Sequence, residues 1–399
     1  MVEYILVSCH AFKTHLLPKS MIYSLCTAED VRSIVDALLQ TDYGADLSRQ
    51  TKVDAHTLER IFSTKLVERY SHLIKLIERY TGLVKLVERH ASLLKLVERH
   101  ASLLRLVEQY KDFAPYSIGF MESSLWRIYE ESLGQIEPPP KGICSIIKAY
   151  TRKLELQNVI RILRGKFTKT PNELIEEYLI PLKELSNIRF NDLLKADSID
   201  VAVRMLGNTI YSQITEALKL SHEFKSFLPI EMKLWTLYYN YLLGALSNVP
   251  KSEREDLKRI IGTEIDAINT LICTASIVYG YGKEFVRSLI IPFSFKVTID
   301  TFKIAMQAES IETLKRLLSP YAKIIDHIVN GDDISAQVES YRYIRKEAEK
   351  QLLKDSTYAY VLSYMLLCEI EYKDLTLIAL GKQYGLKPEE LRPRLISSD

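Results

Sequence analysis

Three short pairs, each an acid followed three residues on by an amide or a second acid, are the residues of this chain best placed to do chemistry. They read Glu155-Leu-Gln-Asn158, Asp266-Ala-Ile-Asn269 and Glu371-Tyr-Lys-Asp374. An acid at i and an amide or second acid at i+3 share one face of a helix and lie within reach of each other. Such a pair can bind a ligand, or it can lock neighbouring segments by accepting and donating hydrogen bonds to a facing backbone. Recurrence in three places favours the locking role, because a ligand site seldom repeats in every unit of a scaffold. The first and last pairs run on, at identical spacing, to Gly165-Lys166 and Gly381-Lys382, whereas the middle pair leads to Ser276.

Other chemistries are poorly supported. No Gly-x-x-x-x-Gly-Lys-Ser/Thr loop occurs; Tyr279-Gly-Tyr-Gly-Lys283 lacks both the length and the hydroxyl. His90 and His100 are ten residues apart and cannot meet on one helical turn, so metal ligation there is not expected. The five cysteines, Cys9, Cys26, Cys144, Cys273 and Cys368, form no Cys-x-x-Cys pair and read as small buried hydrophobes. No Ser-His-acid or Cys-His set can be assembled, so no catalytic, metal or cofactor site is expected.

The elements that carry these pairs are helical. Apolar spacing such as Leu156, Val159, Ile160 and Leu163 follows one helical face, and no alternating strand pattern with hairpin turns occurs. Breaks fall at Pro138 to Pro140, Pro171, Pro181, Pro229, Pro250, Pro292 and Pro320. The chain of 399 residues is 47% hydrophobic and 26% charged, with 53 basic against 51 acidic side chains; that balance argues for a globular protein and against a nucleic-acid binder. The apolar stretches Leu271 to Tyr281 and Tyr358 to Ile370 fall short of the roughly 20 residues a bilayer crossing needs. Any membrane contact is therefore expected to run through partner subunits.

Self-comparison orders these helices into three units. Ala28-Glu29-Asp30 returns as Ala196-Asp197-Ser198 and Ala308-Glu309-Ser310, each an N-cap signal before apolar residues. Glu122 to Trp126 returns as Glu231 to Trp235, more weakly as Glu339 to Tyr343, and Leu179-Ile180-Pro181 returns as Ile290-Ile291-Pro292. The expected organisation is an all-α chain of three similar helical bundles over 1–187, 188–299 and 300–399. Within the first, five decads start at Leu66, Leu76, Leu86, Leu96 and Leu106, an inserted array over about 62–120. Positions 1, 2, 8 and 9 of a decad share a face, but ten residues stop about 80° short of three turns, so the stripe slides around the helix.

In order and spacing these elements resemble the C subunits of archaeal and bacterial V/A-type ATP synthases, the family that includes the d subunits of eukaryotic V-ATPases. The resemblance rests on Glu155 to Lys166, Glu371 to Gly381, Leu386 to Leu395 and Thr41-Asp42-Tyr43-Gly44. It implies a pseudo-threefold funnel of helices on the cytoplasmic mouth of a proteolipid ring, receiving the foot of the central stalk. It also implies a non-catalytic rotor adaptor without cofactor. From their recurrence in the units, Glu155, Asn158, Gly165, Asp266, Asn269, Glu371, Asp374 and Gly381 are expected to be structural keystones. The alternative is a helical-repeat scaffold unconnected with rotary motors. Solenoid repeats of about 30–45 residues would mark that class, whereas Asn158 and Asn269 stand 111 residues apart.

Overall fold

The computed structural model describes residues 2–50, 53–79, 142–354 and 356–398; all the described secondary structure is helical. The chain opens with α1 (Val2–Lys13), α2 (Lys19–Cys26), α3 (Val31–Leu38) and α4 (Gly44–Leu47), followed by α5 over 55–79. A long helix, α6 (Ile143–Thr168), leads to α7 (Asn172–Glu177), α8 (Phe190–Leu194), α9 (Ile199–Met205), α10 (Thr215–Phe224) and α11 (Leu228–Leu246). The second long helix, α12 (Lys251–Tyr279), precedes α13 (Lys283–Leu289), α14 (Ile299–Ala305), α15 (Ile311–Leu317), α16 (Ala322–Val329) and α17 (Asp333–Gln351). The third, α18 (Thr357–Gln383), is followed by α19 (Pro388–Leu391).

Local chemistry places the ends of these helices. Asp30, Ser198 and Ser310 each accept a bond from the amide three residues on, at 2.8, 3.4 and 3.2 Å, so the repeated N-cap signal starts α3, α9 and α15 alike. Each long helix ends at a left-handed residue, Lys169, Gly280 or Gly385. Gly165 O accepts from Thr170 N and Gly381 O from Leu386 N, both at 2.8 Å, satisfying carbonyls that the helix leaves open.

The long helices are the interior. Helix α11 packs on α6, α17 on both α12 and α18, and α1 on α18. One apolar core joins residues from Ile5 to Ile396, uniting α1 to α6 with α18, and a second fills the space among Met232, α12 and α13 to α17. Helix α12 is long and apolar enough by composition to cross a membrane, but 83% of its apolar window is buried among the other helices. The run of Leu271 to Tyr281 read from the sequence is shorter than this window. The window gains its extra length from α12 residues on the N-terminal side of that run, where charged and apolar residues mix.

Burial on all sides also explains the glycines. A Cβ on Gly165 would lie 2.3 Å from Cδ1 of Ile175, and one on Gly381 would lie 2.4 Å from Cδ2 of Leu391. Helices α7 and α19 each drop a branched side chain into the notch. At the corresponding place α12 has Ser276, and the residue ten further on is the buried Val286, which has no δ carbon. Gly165→Ala should therefore destabilise the chain by about 1–3 kcal/mol through overpacking. Adding Ile175→Val should recover part of that loss in a double-mutant cycle of chemical denaturation.

Candidate functional site

The second member of each pair holds a loop by its backbone. Asn158 accepts from Ile180 N and donates to Ile180 O, both at 2.8 Å. Asn269 does the same to Ile291, at 3.0 and 3.1 Å. In the third copy Asp374 accepts from Ile396 N at 2.7 Å and from Ser397 N at 2.9 Å. The captured residue lies 22 positions beyond the captor in every case.

The change from asparagine to aspartate follows from what comes after the captured isoleucine. Pro181 and Pro292 have no N–H, so one amide and one carbonyl are all that the loop offers, and an asparagine matches both. Ser397 does have an N–H, so a carboxylate can accept twice. The carbonyl of Ile396, which an aspartate cannot serve, takes a bond from Arg345 at 2.7 Å instead. Burial raises the Asp374 pKa, against the pull of the Ser397 and Ile396 donors.

The acid of each pair faces a different loop and a tyrosine. Glu155 accepts from Ser186 Oγ at 2.5 Å and Tyr211 Oη at 3.3 Å, with Arg152 at 3.1 Å on its own helix. Asp266, one carbon shorter, meets its loop directly. It accepts from the amides of Phe295, Lys296 and Val297 at 3.1, 2.7 and 3.3 Å and from Tyr321 Oη at 3.1 Å. Burial pushes Asp266 up to about 6 although all four donors oppose it. Glu371 accepts from Leu17 N and Tyr43 Oη, both at 2.5 Å, and from Arg69 at 2.7 Å. Arg69 is also 3.1 Å from Asp42. Thus Tyr43, Tyr211 and Tyr321, each shortly after a repeated N-cap, play one part.

Between the long helices lies a charge cluster that the sequence reading missed. Lys153 of α6 is 2.9 Å from Glu264 of α12 and 3.0 Å from Glu369 of α18, with all three side chains at most 2% exposed. Tyr150 and Tyr239 donate to Glu264 at 2.8 and 3.0 Å, and Tyr341 donates to Glu369 at 2.7 Å. Burial alone disfavours the ammonium, but the two carboxylates outweigh it and raise the Lys153 pKa well above the ordinary range. Glu369 is lowered in turn: burial opposes its charge, and Lys153 and Lys373 prevail. The signal was present, since a charged residue stands two positions before each acid of the three pairs.

The profile of the ATP synthase (C/AC39) subunit family matches residues 6–91 and 120–394. The chain belongs to that family. Among its curated relatives, the A-type ATP synthase C subunit of Methanocaldococcus jannaschii is 22% identical, over 65% of this chain and 67% of the relative. That of Halorubrum lacusprofundi is 26% identical over 64% and 74%, and that of Archaeoglobus fulgidus 24% over 63% and 72%. The stretch left out of the family match, 92–119, is narrower than the array of about 62–120 read from the sequence.

The structure of this C/AC39 member shows why. Leu66, Val67, Leu73 and Ile74, positions 1, 2, 8 and 9 of the first decad, are buried on α5, and Arg69 of that decad reaches Glu371. Glu78 of the second decad pairs with Lys148 of α6 at 2.6 Å. The remaining decads and the Glu122 to Trp126 element lie outside the described residues. Trp235 stacks on Tyr239, and Glu231 pairs with Arg164 at 2.5 Å. Among the described residues no three His, Cys, Asp or Glu side chains cluster as a metal site. Burial pushes the Cys9, Cys273 and Cys368 thiols up to about 12, well away from reactive thiolates.

Replacing Asn158 by Leu strands the N–H and C=O of buried Ile180. The expected loss is about 1–3 kcal/mol, measured as a shift in denaturation midpoint. Unchanged melting would show that the clamp contributes nothing to stability.

Proposed function

We propose that this C/AC39 family member is a non-catalytic coupling part of an A/V-type rotary ATPase, seated between the membrane proteolipid ring and the central stalk. Ring rotation, driven by protons or sodium ions, passes through it to the stalk and so to the nucleotide-binding head; in the other direction, ATP hydrolysis drives the ring. Its place is the cytoplasmic face of the membrane, held there by its partner subunits.

The observation that carries this reading is the family match over most of the chain. A torque-bearing adaptor also needs stiffness, and three helical units over 1–187, 188–299 and 300–399 would supply it. We read these as related by a pseudo-threefold axis. Support comes from the same clamp made three times, at an identical spacing of 22 residues, on three long helices that meet at one buried charge cluster. Clamps of this kind act as packing keystones, because they satisfy loop backbone groups that would otherwise be stranded. The absence of a phosphate-binding loop in the sequence fits a subunit that transmits work rather than performing the chemistry.

Purification of the tagged chain from detergent-solubilised membranes of its source should bring down catalytic, stalk and proteolipid subunits in fixed ratio. Recovery of the chain alone, or with unrelated proteins, would overturn the reading. The isolated chain should neither hydrolyse ATP nor bind it; micromolar binding by calorimetry on the pure protein would refute the non-catalytic assignment.

A further inference from the structure

We propose that Lys153, Glu264 and Glu369 form a charge key that admits one of each long helix to the centre, and so selects against assemblies, with a second copy of the chain, in which a like helix takes another's place. The inference rests on the reading of the chain as three like units. Like units carry a hazard, because a surface that fits one unit also fits its siblings, and a second copy of the chain supplies every sibling again.

The clamps do not remove that hazard. Each presents the same kit: an acid for a tyrosine hydroxyl and a loop, and a side chain for the backbone of an isoleucine. The acid on α6 of one molecule offers Tyr43 or Tyr321 of another much what it offers its own Tyr211. The central cluster differs in kind, because equivalent positions carry opposite signs. Lys153 is shared between Glu264 and Glu369 at 2.9 and 3.0 Å. Lys373 approaches Glu369 at 3.9 Å, but along its own helix, so it cannot tell one neighbour from another. A centre containing α6 twice would bury two ammonium groups together. A centre without α6 would bury Glu264 against another carboxylate with no shared cation. Both arrangements leave like charges out of water and facing each other, which selects against them more strongly than any clamp selects for the correct one.

Refolding of the full chain from denaturant, followed by size-exclusion chromatography with light scattering, tests this over a range of concentrations. Lys153→Glu should cut the monomer yield by roughly fivefold or more, and adding Glu264→Lys in the same chain should bring it back to within about twofold of wild type. A neutral chain, Lys153→Met with Glu264→Gln and Glu369→Gln, should melt close to wild type but refold with a raised, concentration-dependent oligomer fraction. Asn158→Leu, destabilised by another route, should refold to monomer.

The proposal fails if the neutral chain refolds as cleanly as wild type, if the exchanged pair does not rescue monomer, or if Asn158→Leu gives as much oligomer. Should the neutral chain not fold, the comparison of Lys153→Glu, its rescue and Asn158→Leu decides alone. All of these readouts use the isolated chain, so they stand whether or not it co-purifies with a rotary complex.

Discussion

Six of the charged side chains taken out of water stand at matching places, two on each long helix, and the rest of the fold is arranged around the partners they require. An ionised group without a partner in the interior costs several kcal/mol. Lys153, Glu264 and Glu369 supply one another, which fixes how closely α6, α12 and α18 approach and with which faces. Two residues further along, Glu155, Asp266 and Glu371 point elsewhere on each helix and must be met from outside. That need draws in Leu17, Ser186 and the Phe295 to Val297 loop, together with a tyrosine in each case.

The loops gain as much as the helices. A segment with no strand or helix partner still has backbone N–H and C=O groups to satisfy. A side chain that accepts and donates at one residue, as Asn158 does at Ile180, performs for that loop what a neighbouring strand would do. Each long helix thereby fastens two loops, one with its first acid and one with the asparagine or aspartate three residues on. Glu371 fastens the N-terminal residues to α18 across 354 positions of sequence at Leu17. Tyr70 Oη, donating to Met365 O at 2.8 Å, and Tyr23 Oη, donating to Ser397 O at 3.0 Å, reinforce the same seam.

Much of this was legible in the sequence, because the relevant signals are local. The all-helical class, the N-caps at Asp30, Ser198 and Ser310, and the acid–amide pairs depend on spacings of three or four residues within one helix. What the sequence did not disclose depends on contacts between helices. Nothing in the local pattern says that Tyr43 meets Glu371, or that Arg345 serves the carbonyl left over by Asp374. The charge cluster lay between these extremes. Its members occupy one offset in each repeat, but a charged residue two places from another reads as a solvated face until the three helices are brought together. The decad array and the family match differ in extent for a related reason: a repeat in sequence marks duplication, and does not say where the ancestral helix ends.

Helix α5 shows how a repeat can be tolerated in a core that depends on register. If the chain slid by one decad, Arg79 would replace Arg69 opposite Glu371, and Leu76, Ile77, Leu83 and Val84 would replace Leu66, Val67, Leu73 and Ile74, all conservatively. The decads alone therefore leave the register open. The residues before them do not. The same slide would carry Glu68 into the place of Leu58, Ser71 into that of Ile61 and His72 into that of Phe62, three positions at most 7% exposed. A carboxylate and two polar groups would then occupy apolar sites without partners. Leu58, Ile61 and Phe62 thus fix the register from the N-terminal side, where the sequence is unique. The number of decads that follow can change by duplication without moving Arg69 away from Glu371.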